Sequence, residues 1–547
     1  MSRVPSQHPP ENQLANAGNP ASLSRVATPR KSISSARAVP PASLPLYDWL
    51  QDRGAGVLLH PTALPGNQGC GVLDQHAIRF LDFLRGAGFK YWQICPTGPT
   101  GYGDSPYQCY SAFAGNPNLV DLAPLVRFGV LPASELTAFA ALSPDAVDFE
   151  TLARLKPRLL QTAHALHRQK QPTLPYGSYA DFCRREKSWL DDYATFRALK
   201  DHFGGRPWWE WPATERDHAR ALRSPLRDKL AVEIDAWRFG QYLFFGQWAH
   251  VRAAAAERGI RIIGDLPIFV AGDSADAWAA PHLFELNPKT LQPVAVAGVP
   301  PDYFSADGQL WGNPLYDWSA HRADGYAWWC ARLRAQLAQC DVVRIDHFRG
   351  FDAYWRVPLP AENARQGAWI PGPGLDLFRA FHRALPGARI IAEDLGVLTD
   401  SVNRLRDDTG LPGMLVLQFA WGGDAGNSYL PHNAPRNAVI YSGTHDNDTT
   451  TGWYHTAGEN ERDHVRRYLR VSGGDIAWDF IRACYASPAR LAIVPLQDLL
   501  SLGSDARFNT PGVPSGNWRW RVRADALEKL SGDTTRYLRE LGALYGR

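Results

Sequence analysis

The sequence lacks the marks of several large protein classes. In its 547 residues no apolar run approaches the roughly 18 residues that a membrane span needs. No Gly-rich stretch fits a phosphate-binding loop, because GPTGYGDSPY matches neither GxxxxGK(S/T) nor GxGxxG. We therefore predict a soluble protein that has no membrane partner and uses no nucleotide cofactor.

Cysteine is sparse and scattered. The seven cysteines are odd in number and include no Cys-x-x-Cys pair, which argues against a zinc site or a redox motif. They are Cys70, Cys95, Cys109, Cys183, Cys330, Cys340 and Cys484. This pattern fits a reducing compartment best, so we expect a cytoplasmic protein.

Excess charge is small, at +3 overall, and it is unevenly placed. Residues 1–45 hold five basic residues against one glutamate, which leaves the rest of the chain near neutral. Because a nucleic-acid-binding protein needs a concentrated basic surface, we expect no nucleic-acid partner. A neutral partner such as a sugar fits better.

Among the twenty tryptophans, most of which we expect in the core, some rings could stack on sugar faces.

Residues 1–45 differ from the rest of the chain in composition. They are rich in Ser, Pro, Ala and Asn and show no apolar periodicity. Such a segment cannot bury enough apolar surface to offset the entropy of ordering it, so we predict a disordered N-terminal extension. A weak organellar transit peptide is the alternative, because the segment is poor in acidic residues.

Eight short β-rich runs follow, and segments that often have helical character separate them. The runs are 56–60, 90–95, 259–265, 341–346, 388–393, 414–419, 437–444 and 491–497. This pattern predicts a parallel sheet with helical crossovers, and eight strands close a (β/α)8 TIM barrel. We predict a catalytic barrel over 46–547, with inserted, mainly helical subdomains at about 121–255 and 272–325 and no C-terminal β-sandwich.

Four carboxylates follow predicted strands: Asp265, Asp346, Glu393 and Asp446. A lone carboxylate in such a place is more often a helix cap or a surface charge. The carboxyl ends of barrel strands line one mouth, so four together predict a common site. Asp346 and Glu393 would end neighbouring strands, as retaining glycosyl transfer requires of a nucleophile and a proton donor about 5–5.5 Å apart.

Arg344 precedes Asp346 by two residues, so strand periodicity places both side chains on one face. Its guanidinium would hold Asp346 ionised, as a nucleophile requires. Asp446 could instead belong to a metal site together with His445 and Asp448. We expect no metal, because adjacent residues rarely all face one ion.

Longer strings now become informative: GYGDSPYQ at 101–108, SAFAGNP at 111–117, GDLPIFV at 264–270, GVPPDYFSADGQLWGNPLY at 298–316, RIDHFRGF at 344–351, AEDLG at 392–396 and GTHDNDT at 443–449. They resemble the characteristic motifs of the amylomaltases, the 4-α-glucanotransferases of glycoside hydrolase family 77. The strings stand in the family's order and spread over roughly residues 54–520.

The resemblance implies transfer of α-1,4-glucan segments between malto-oligosaccharides, or glucans derived from starch or glycogen, by retaining double displacement without a cofactor. It implies that Asp346 is the nucleophile, Glu393 the acid/base and Asp446 a third carboxylate that binds sugar hydroxyls. Further substrate-binding residues that it implies are Arg344, His445, Asp265, Tyr107, an outlying Tyr102, and Asp302 and Trp311 in a lid formed by residues 300–311.

Two rival functions remain at this point. A plain α-glucan hydrolase would use the same three carboxylates and differ only in its acceptor, although the lid string favours transfer. A catalytically silent glucan-binding protein is disfavoured because all three carboxylates are present. For Asn447 and Asp448, a role in forming the turn that presents Asp446 and a direct sugar contact are about equally favoured.

Overall fold

The computed structural model describes residues 43–301, 305–396 and 398–547, with the side chain of Tyr102 left out. Almost all of the expected N-terminal extension, and Asp302, therefore lie outside the described residues. Twelve strands occur in the described part of the chain: β1 (Gly54–Leu58), β2 (Tyr91–Gln93), β3 (Arg261–Leu266), β4 (Ala295–Val299), β5 (Gln309–Pro314), β6 (Val342–Ile345), β7 (Ala353–Pro358), β8 (Ala368–Pro371), β9 (Ile390–Ala392), β10 (Gly413–Val416), β11 (Ala438–Tyr441) and β12 (Leu491–Pro495).

Eight of these strands form a parallel barrel. Their order in the sheet is β10-β11-β12-β1-β2-β3-β6-β9, which is the order of the chain around a ring. A backbone hydrogen bond from Ala392 N to Pro412 O, 2.9 Å long, connects the two ends of this sheet. The eight strands correspond to the eight predicted runs, with boundaries that differ by at most three residues, so the predicted barrel is confirmed.

The barrel interior is filled by alternate residues of its strands. All eight strands contribute to one cluster of buried side chains, which includes Leu58, Tyr91, Ile263, Val342, Ile391, Met414, Val439 and Leu491. Because side chains alternate along a strand, residues two positions further on face the same side. Asp265, Arg344 and Glu393 therefore follow interior residues toward the carboxyl end of the barrel.

Helices surround the strands and fill the connections between them. Within the described residues they are α1 (Gln75–Gly86), α2 (Ala123–Arg127), α3 (Phe149–Lys170), α4 (Tyr179–Arg185), α5 (Lys187–His202), α6 (His218–Ala221), α7 (Pro225–Lys229), α8 (Ala231–Glu257), α9 (Ala275–Ala279), α10 (Trp318–Ala323), α11 (Ala327–Gln339), α12 (Leu375–Ala384), α13 (Asp400–Thr409), α14 (Thr450–Thr456), α15 (Glu459–Leu469), α16 (Ile476–Ala486), α17 (Leu496–Leu499), α18 (Ala524–Lys529) and α19 (Asp533–Leu544). None of them combines the length and apolar character needed to cross a bilayer.

The long connection between β2 and β3 contains seven helices, α2 to α8, in agreement with the helical character predicted there. The connection between β3 and β6 contains helices and also β4 and β5. These two strands join β7 and β8 in an antiparallel sheet of order β5-β4-β7-β8. The sequence analysis did not predict this small sheet, because β4 and β5 lie before the fourth barrel strand and β7 and β8 lie after it. The predicted domain boundaries stay a prediction.

Candidate active site

Arg344 lies at the centre of the candidate site. On β6 it pairs in register with Asp265 of β3. Its Nη1 donates to Asp265 Oδ2 at 2.6 Å and to Asp346 Oδ1 at 3.1 Å, and its Nε lies 3.4 Å from Met414 Sδ. The Arg344 side chain is 3% exposed, so this guanidinium is fixed by the two carboxylates it holds.

Asp346 and Glu393 leave two neighbouring strands side by side. Ile345 pairs in register with Ala392, and Asp346 and Glu393 are the residues that follow. Glu393 N donates to Ile345 O at 2.9 Å, which continues the pairing beyond the strands. Adjacent strands lie about 4.8 Å apart. The two carboxylates are therefore neighbours on the rim of the barrel, and their separation of about 5–5.5 Å stays a prediction.

Two backbone N–H groups hold the Glu393 carboxylate. His347 N donates to Oε2 at 2.6 Å, and Leu395 N donates to Oε1 at 3.0 Å. His347 has a left-handed backbone conformation with φ of 51°, which a residue with a side chain rarely adopts. This conformation turns the chain directly after Asp346 and aims the His347 N–H at Glu393. Strain of this kind concentrates at functional sites.

The protein environment raises the pKa of both carboxylates of this pair. Burial raises the pKa of Asp346 to about 6, while Arg344 opposes the rise and Glu393 adds to it. Burial also raises the pKa of Glu393, against the effects of Arg344 and of the two N–H donors. Arg344 contacts Asp346 directly and favours its ionised form, whereas Glu393 is held by two neutral N–H groups.

A second cluster follows β11. His445 Nε2 lies 3.3 Å from Asp446 Oδ2, and Asn509 Nδ2 donates to Asp446 Oδ1 at 2.6 Å. Partial burial works to raise the pKa of Asp446, but His445 and Asn509 outweigh it and hold that pKa well below its ordinary value. Burial works to lower the pKa of His445, but Asp446 raises it overall. This ion pair remains accessible, because the Asp446 side chain is 44% exposed.

Tyr107 joins the two clusters. Its hydroxyl donates to Asp265 Oδ2 at 3.0 Å and lies 2.9 Å from His445 Nε2. Its ring stacks on the His445 ring, with centroids 5.3 Å apart and planes at 20°. The Trp518 ring lies against the Tyr107 ring as well, with centroids 5.8 Å apart. Burial raises the pKa of Tyr107, which keeps the hydroxyl protonated and able to donate.

Asp265 lies beneath the site rather than on its surface. Its side chain is fully buried, and burial raises its pKa to about 6. Oδ2 accepts from both Arg344 and Tyr107, so in this conformation Asp265 acts on the site by orienting these two side chains. The direct sugar contact expected of Asp265 stays a prediction.

The predicted lid is described only in part. Asp302 lies outside the described residues, and Tyr102 is described by its backbone alone, so both assignments stay predictions. Trp311, on β5, lies edge-on to His347 with ring centroids 4.8 Å apart. It therefore stands beside the turn that holds Glu393. At the turn before β5, Ala364 N donates to Asp307 O at 3.0 Å.

The sequence analysis did not assign the segment after β12 to the site, although it contributes three contacts there. Arg507 Nη2 donates to Asp446 O at 2.7 Å, Asn509 holds the Asp446 carboxylate, and Trp518 packs against His445. These residues are more than 60 positions from Asp446, and no periodicity links them to it. Only the closure of the barrel brings them together.

Asn447 and Asp448 support the turn after His445 and Asp446. Asn447 Oδ1 accepts from Thr444 N at 2.9 Å and from Thr444 Oγ1 at 2.8 Å. Asp448 accepts from Thr449 N at 2.8 Å and from Ser504 Oγ at 2.6 Å. The described residues contain no group of three or more His, Cys, Asp or Glu side chains arranged to hold a metal ion.

A cavity lies at the amino-terminal end of the barrel strands, opposite the candidate active site. It has a volume of about 330 Å³ and is lined by residues at the beginnings of β10 and β11, together with Tyr47, Arg406 and Arg490. None of the predicted site residues lines it. In TIM barrels this end serves stability, and the carboxyl end of the strands carries the chemistry.

Comparison with known proteins identifies the family. Residues 59–527 match the family model described as 4-alpha-glucanotransferase. A 4-alpha-glucanotransferase of Synechocystis sp. is 47% identical over 505 residues, covering 91% of this chain and 99% of that protein. One of Thermus thermophilus is 46% identical over 496 residues, covering 89% and 98%. The structure of an amylomaltase from Streptococcus agalactiae in complex with acarbose superposes with a TM-score of 0.86 at 37% identity, covering 90% of this chain and 99% of that one. The chain therefore belongs to the 4-alpha-glucanotransferase family.

Proposed function

We propose that this protein transfers α-1,4-glucan segments between malto-oligosaccharides by a retaining double displacement, with Asp346 as nucleophile and Glu393 as acid/base. The observation that carries the proposal is the adjacent exit of these residues from β6 and β9. Arg344 contacts one of them, and two backbone N–H groups contact the other. This difference in partners supports the assignment of their two roles.

In the first half of the reaction an Asp346 oxygen attacks the anomeric carbon of the donor. The bond from that carbon to the glycosidic oxygen breaks, and Glu393 gives its proton to the departing 4-oxygen. The donor segment remains as a covalent glycosyl ester on Asp346. Arg344 stabilises Asp346 as a carboxylate before the attack and accommodates the neutral ester afterwards, because Asp265 still balances its charge.

In the second half Glu393, now ionised, takes the proton from the 4-hydroxyl of an acceptor glucan. The acceptor oxygen attacks the same anomeric carbon, and the bond to Asp346 breaks. Asp446, exposed beside this pair, would bind sugar hydroxyls through its free carboxylate lone pairs. The configuration at carbon is inverted twice and therefore retained.

Transfer requires that an acceptor sugar compete with water. Against ~55 M water, an acceptor near ~1 mM needs a preference of order 10⁴ to 10⁵, or about 6 to 7 kcal/mol. Exclusion of water and ordered acceptor contacts are the physical sources of such a preference. Trp311 beside His347 and the lid segment 300–311 are the candidates for supplying it.

We further propose that the substrates are malto-oligosaccharides and glucans derived from starch or glycogen, and that the protein works in the cytoplasm. The near-neutral charge of the chain outside residues 1–45 supports a neutral substrate. Free thiols at all seven cysteines, several of them buried in the core, support a reducing compartment.

The experiment that tests the proposal is incubation of the purified protein with maltotriose and no cofactor, followed by separation of the products by chain length. Transfer produces longer malto-oligosaccharides together with glucose. Glucose and maltose alone would instead assign the protein as a hydrolase. Unchanged maltotriose would count against both activities on this donor and favour a silent glucan-binding protein.

A further inference from the structure

One tryptophan differs from all the others in its exposure. All twenty tryptophans lie in the described part of the chain, and Trp369, at 39% exposure, is the only one that is exposed. It stands on β8, the edge strand of the small antiparallel sheet. An apolar side chain exposed on an edge strand contributes little to a core and invites aggregation. Core packing therefore does not account for Trp369.

The Trp369 ring is held in one orientation by its neighbours. The Arg349 guanidinium lies over it, 4.0 Å from the ring centroid. Trp355 pairs with Trp369 across the two strands and contacts it edge-on, with centroids 5.3 Å apart. Trp355 is anchored in turn, because its Nε1 donates to Ala364 O at 2.9 Å. A ring fixed in this way loses little conformational entropy when it binds a ligand.

Trp369 is connected to the candidate active site through a single turn. Arg349 belongs to the short helical turn Phe348–Phe351, which directly follows Asp346 and His347. At the start of this turn His347 contacts Trp311, and within it Arg349 contacts Trp369. The segment from His347 to Arg349, directly after the proposed nucleophile, therefore contacts two tryptophans, one on each edge strand of the small antiparallel sheet.

The chemistry of this surface fits a neutral sugar polymer. A flat indole packs on the apolar C–H face of a glucose ring. Because Arg349, which lies over Trp369, follows Asp346 by three residues, another part of the same substrate chain is the favoured ligand. We propose that Trp369 binds outer glucose units of a long α-glucan whose reacting units lie at Asp346. This inference rests on the proposed function and deepens it, because it makes Trp369 a determinant of the preference for chain length.

The kinetic test compares two donors of different length. Replacing Trp369 with leucine keeps an apolar side chain and removes the flat ring. We expect W369L to lower kcat/KM for short linear amylose about five- to tenfold, an effect of the size that aromatic stacking provides, and to leave that for maltotriose within about twofold. W369F, which restores a flat ring, should recover most of the loss.

Phe128 provides the matched control. It is an aromatic residue of similar exposure, 37%, that follows α2 in the helical connection between β2 and β3. The variant F128L should leave the ratio of the two kcat/KM values unchanged. Equal loss on maltotriose and amylose in W369L, or an unchanged ratio, would overturn the proposal for Trp369.

A binding measurement separates this inference from the proposed function. In the D346N background, native electrophoresis through gels that contain glycogen reports polysaccharide binding without turnover. We expect D346N/W369L to be retarded clearly less than D346N and D346N/F128L. Equal retardation of the three proteins rejects the Trp369 platform. A wild-type protein inactive on maltotriose, with retardation that still depends on Trp369, would reject only the proposed function.

Discussion

Two carboxylate clusters share one rim of the barrel and differ in what they do with a proton. At the ends of β6 and β9, burial raises the pKa of both Asp346 and Glu393. After β11, the ion pair with His445 and the hydrogen bond from Asn509 hold the pKa of Asp446 well below its ordinary value. The first cluster is therefore suited to proton transfer, and the second presents a permanent anion.

This difference arises from neighbours and not from residue type. Asp346 and Asp446 are both aspartates that follow a barrel strand. Asp346 is opposed by a second carboxylate and shares its cation with the buried Asp265. Asp446 instead has a cation, His445, and a neutral donor, Asn509, as its partners. Under the proposed function, the different partners of each carboxylate would separate catalysis from substrate binding within one mouth.

The largest effect should come from the first cluster. We expect Asp346→Asn to lower kcat roughly 10⁴-fold, because the amide cannot form the glycosyl ester, while binding of maltotriose is largely kept. Steady-state kinetics and equilibrium binding measure the two quantities. Asp448→Asn serves as the control. Asp448 lies in the loop after β11 and accepts hydrogen bonds from Thr449 and Ser504. D448N should change kcat less than about tenfold. Substantial activity in D346N would remove Asp346 as the nucleophile.

Glu393→Gln should have the next largest effect. It removes the proton donor, so kcat on maltotriose should fall roughly 10³-fold. A donor whose leaving group needs no proton sharpens the test. With α-maltosyl fluoride, the first release of fluoride by E393Q should return to within about tenfold of the wild-type rate. If the fluoride donor gives no recovery, Glu393 does not act as the acid, and its role would be confined to structure.

The second cluster should respond more weakly. Asn509→Ala removes the hydrogen bond to Asp446 Oδ1 and leaves the first cluster intact. We expect KM for maltotriose to rise about tenfold with a smaller change in kcat. A hydrogen bond to a charged group contributes about 1.5–3 kcal/mol, and only part of this is lost at the half-exposed Asp446. Asn509→Asp, which places a second anion against Asp446, should be worse than alanine. Equal kinetics in N509A and wild type would mean that Asp446 needs no orientation by the segment after β12.

The pH dependence of kcat/KM should separate the clusters again. Activity requires ionised Asp346 and protonated Glu393, so it should fall about tenfold per unit as the pH drops below about 6 and Asp346 takes up a proton. It should also fall at higher pH, when Glu393 loses its proton. In N509A the acid limb should keep its position, since the Asn509 side chain donates its hydrogen bond to Asp446 and not to Asp346 or Glu393. An acid limb near the ordinary aspartate pKa would contradict the burial of the pair.

Much of the fold could be predicted from the sequence because barrel strands buried on both faces are continuous apolar runs. Carboxylates that end such runs could be assigned to one mouth, because the carboxyl ends of all barrel strands line the same mouth. The small sheet could not be predicted, because β7 pairs with β4, a strand about 60 residues earlier, and no local pattern marks that pairing. Asn509 and Trp518 could not be assigned to the site either. Their partners His445 and Asp446 lie across a loop whose path depends on barrel closure.

The smallest effect should appear in thermal stability. Removing the charge of Asp346 and removing that of Asp446 should shift Tm at pH 7 in opposite directions. The folded state raises the pKa of Asp346 from 3.8 to about 6, so it binds this proton more tightly than the unfolded state does. The contribution of Asp346 to the free energy of unfolding is therefore favourable below about pH 4 and is lost as the pH rises through 6. Asparagine has no such loss, so D346N should raise Tm by a few degrees at pH 7, with the gain shrinking toward pH 4.

Asp446, whose pKa is lowered, stabilises the folded state at neutral pH, so Asp446→Asn should lower Tm there. Thermal unfolding of both variants at pH 4 and 7 measures these changes in Tm. If both variants change Tm in the same direction at pH 7, the rim does not divide into a carboxylate pair with raised pKa and an aspartate with lowered pKa.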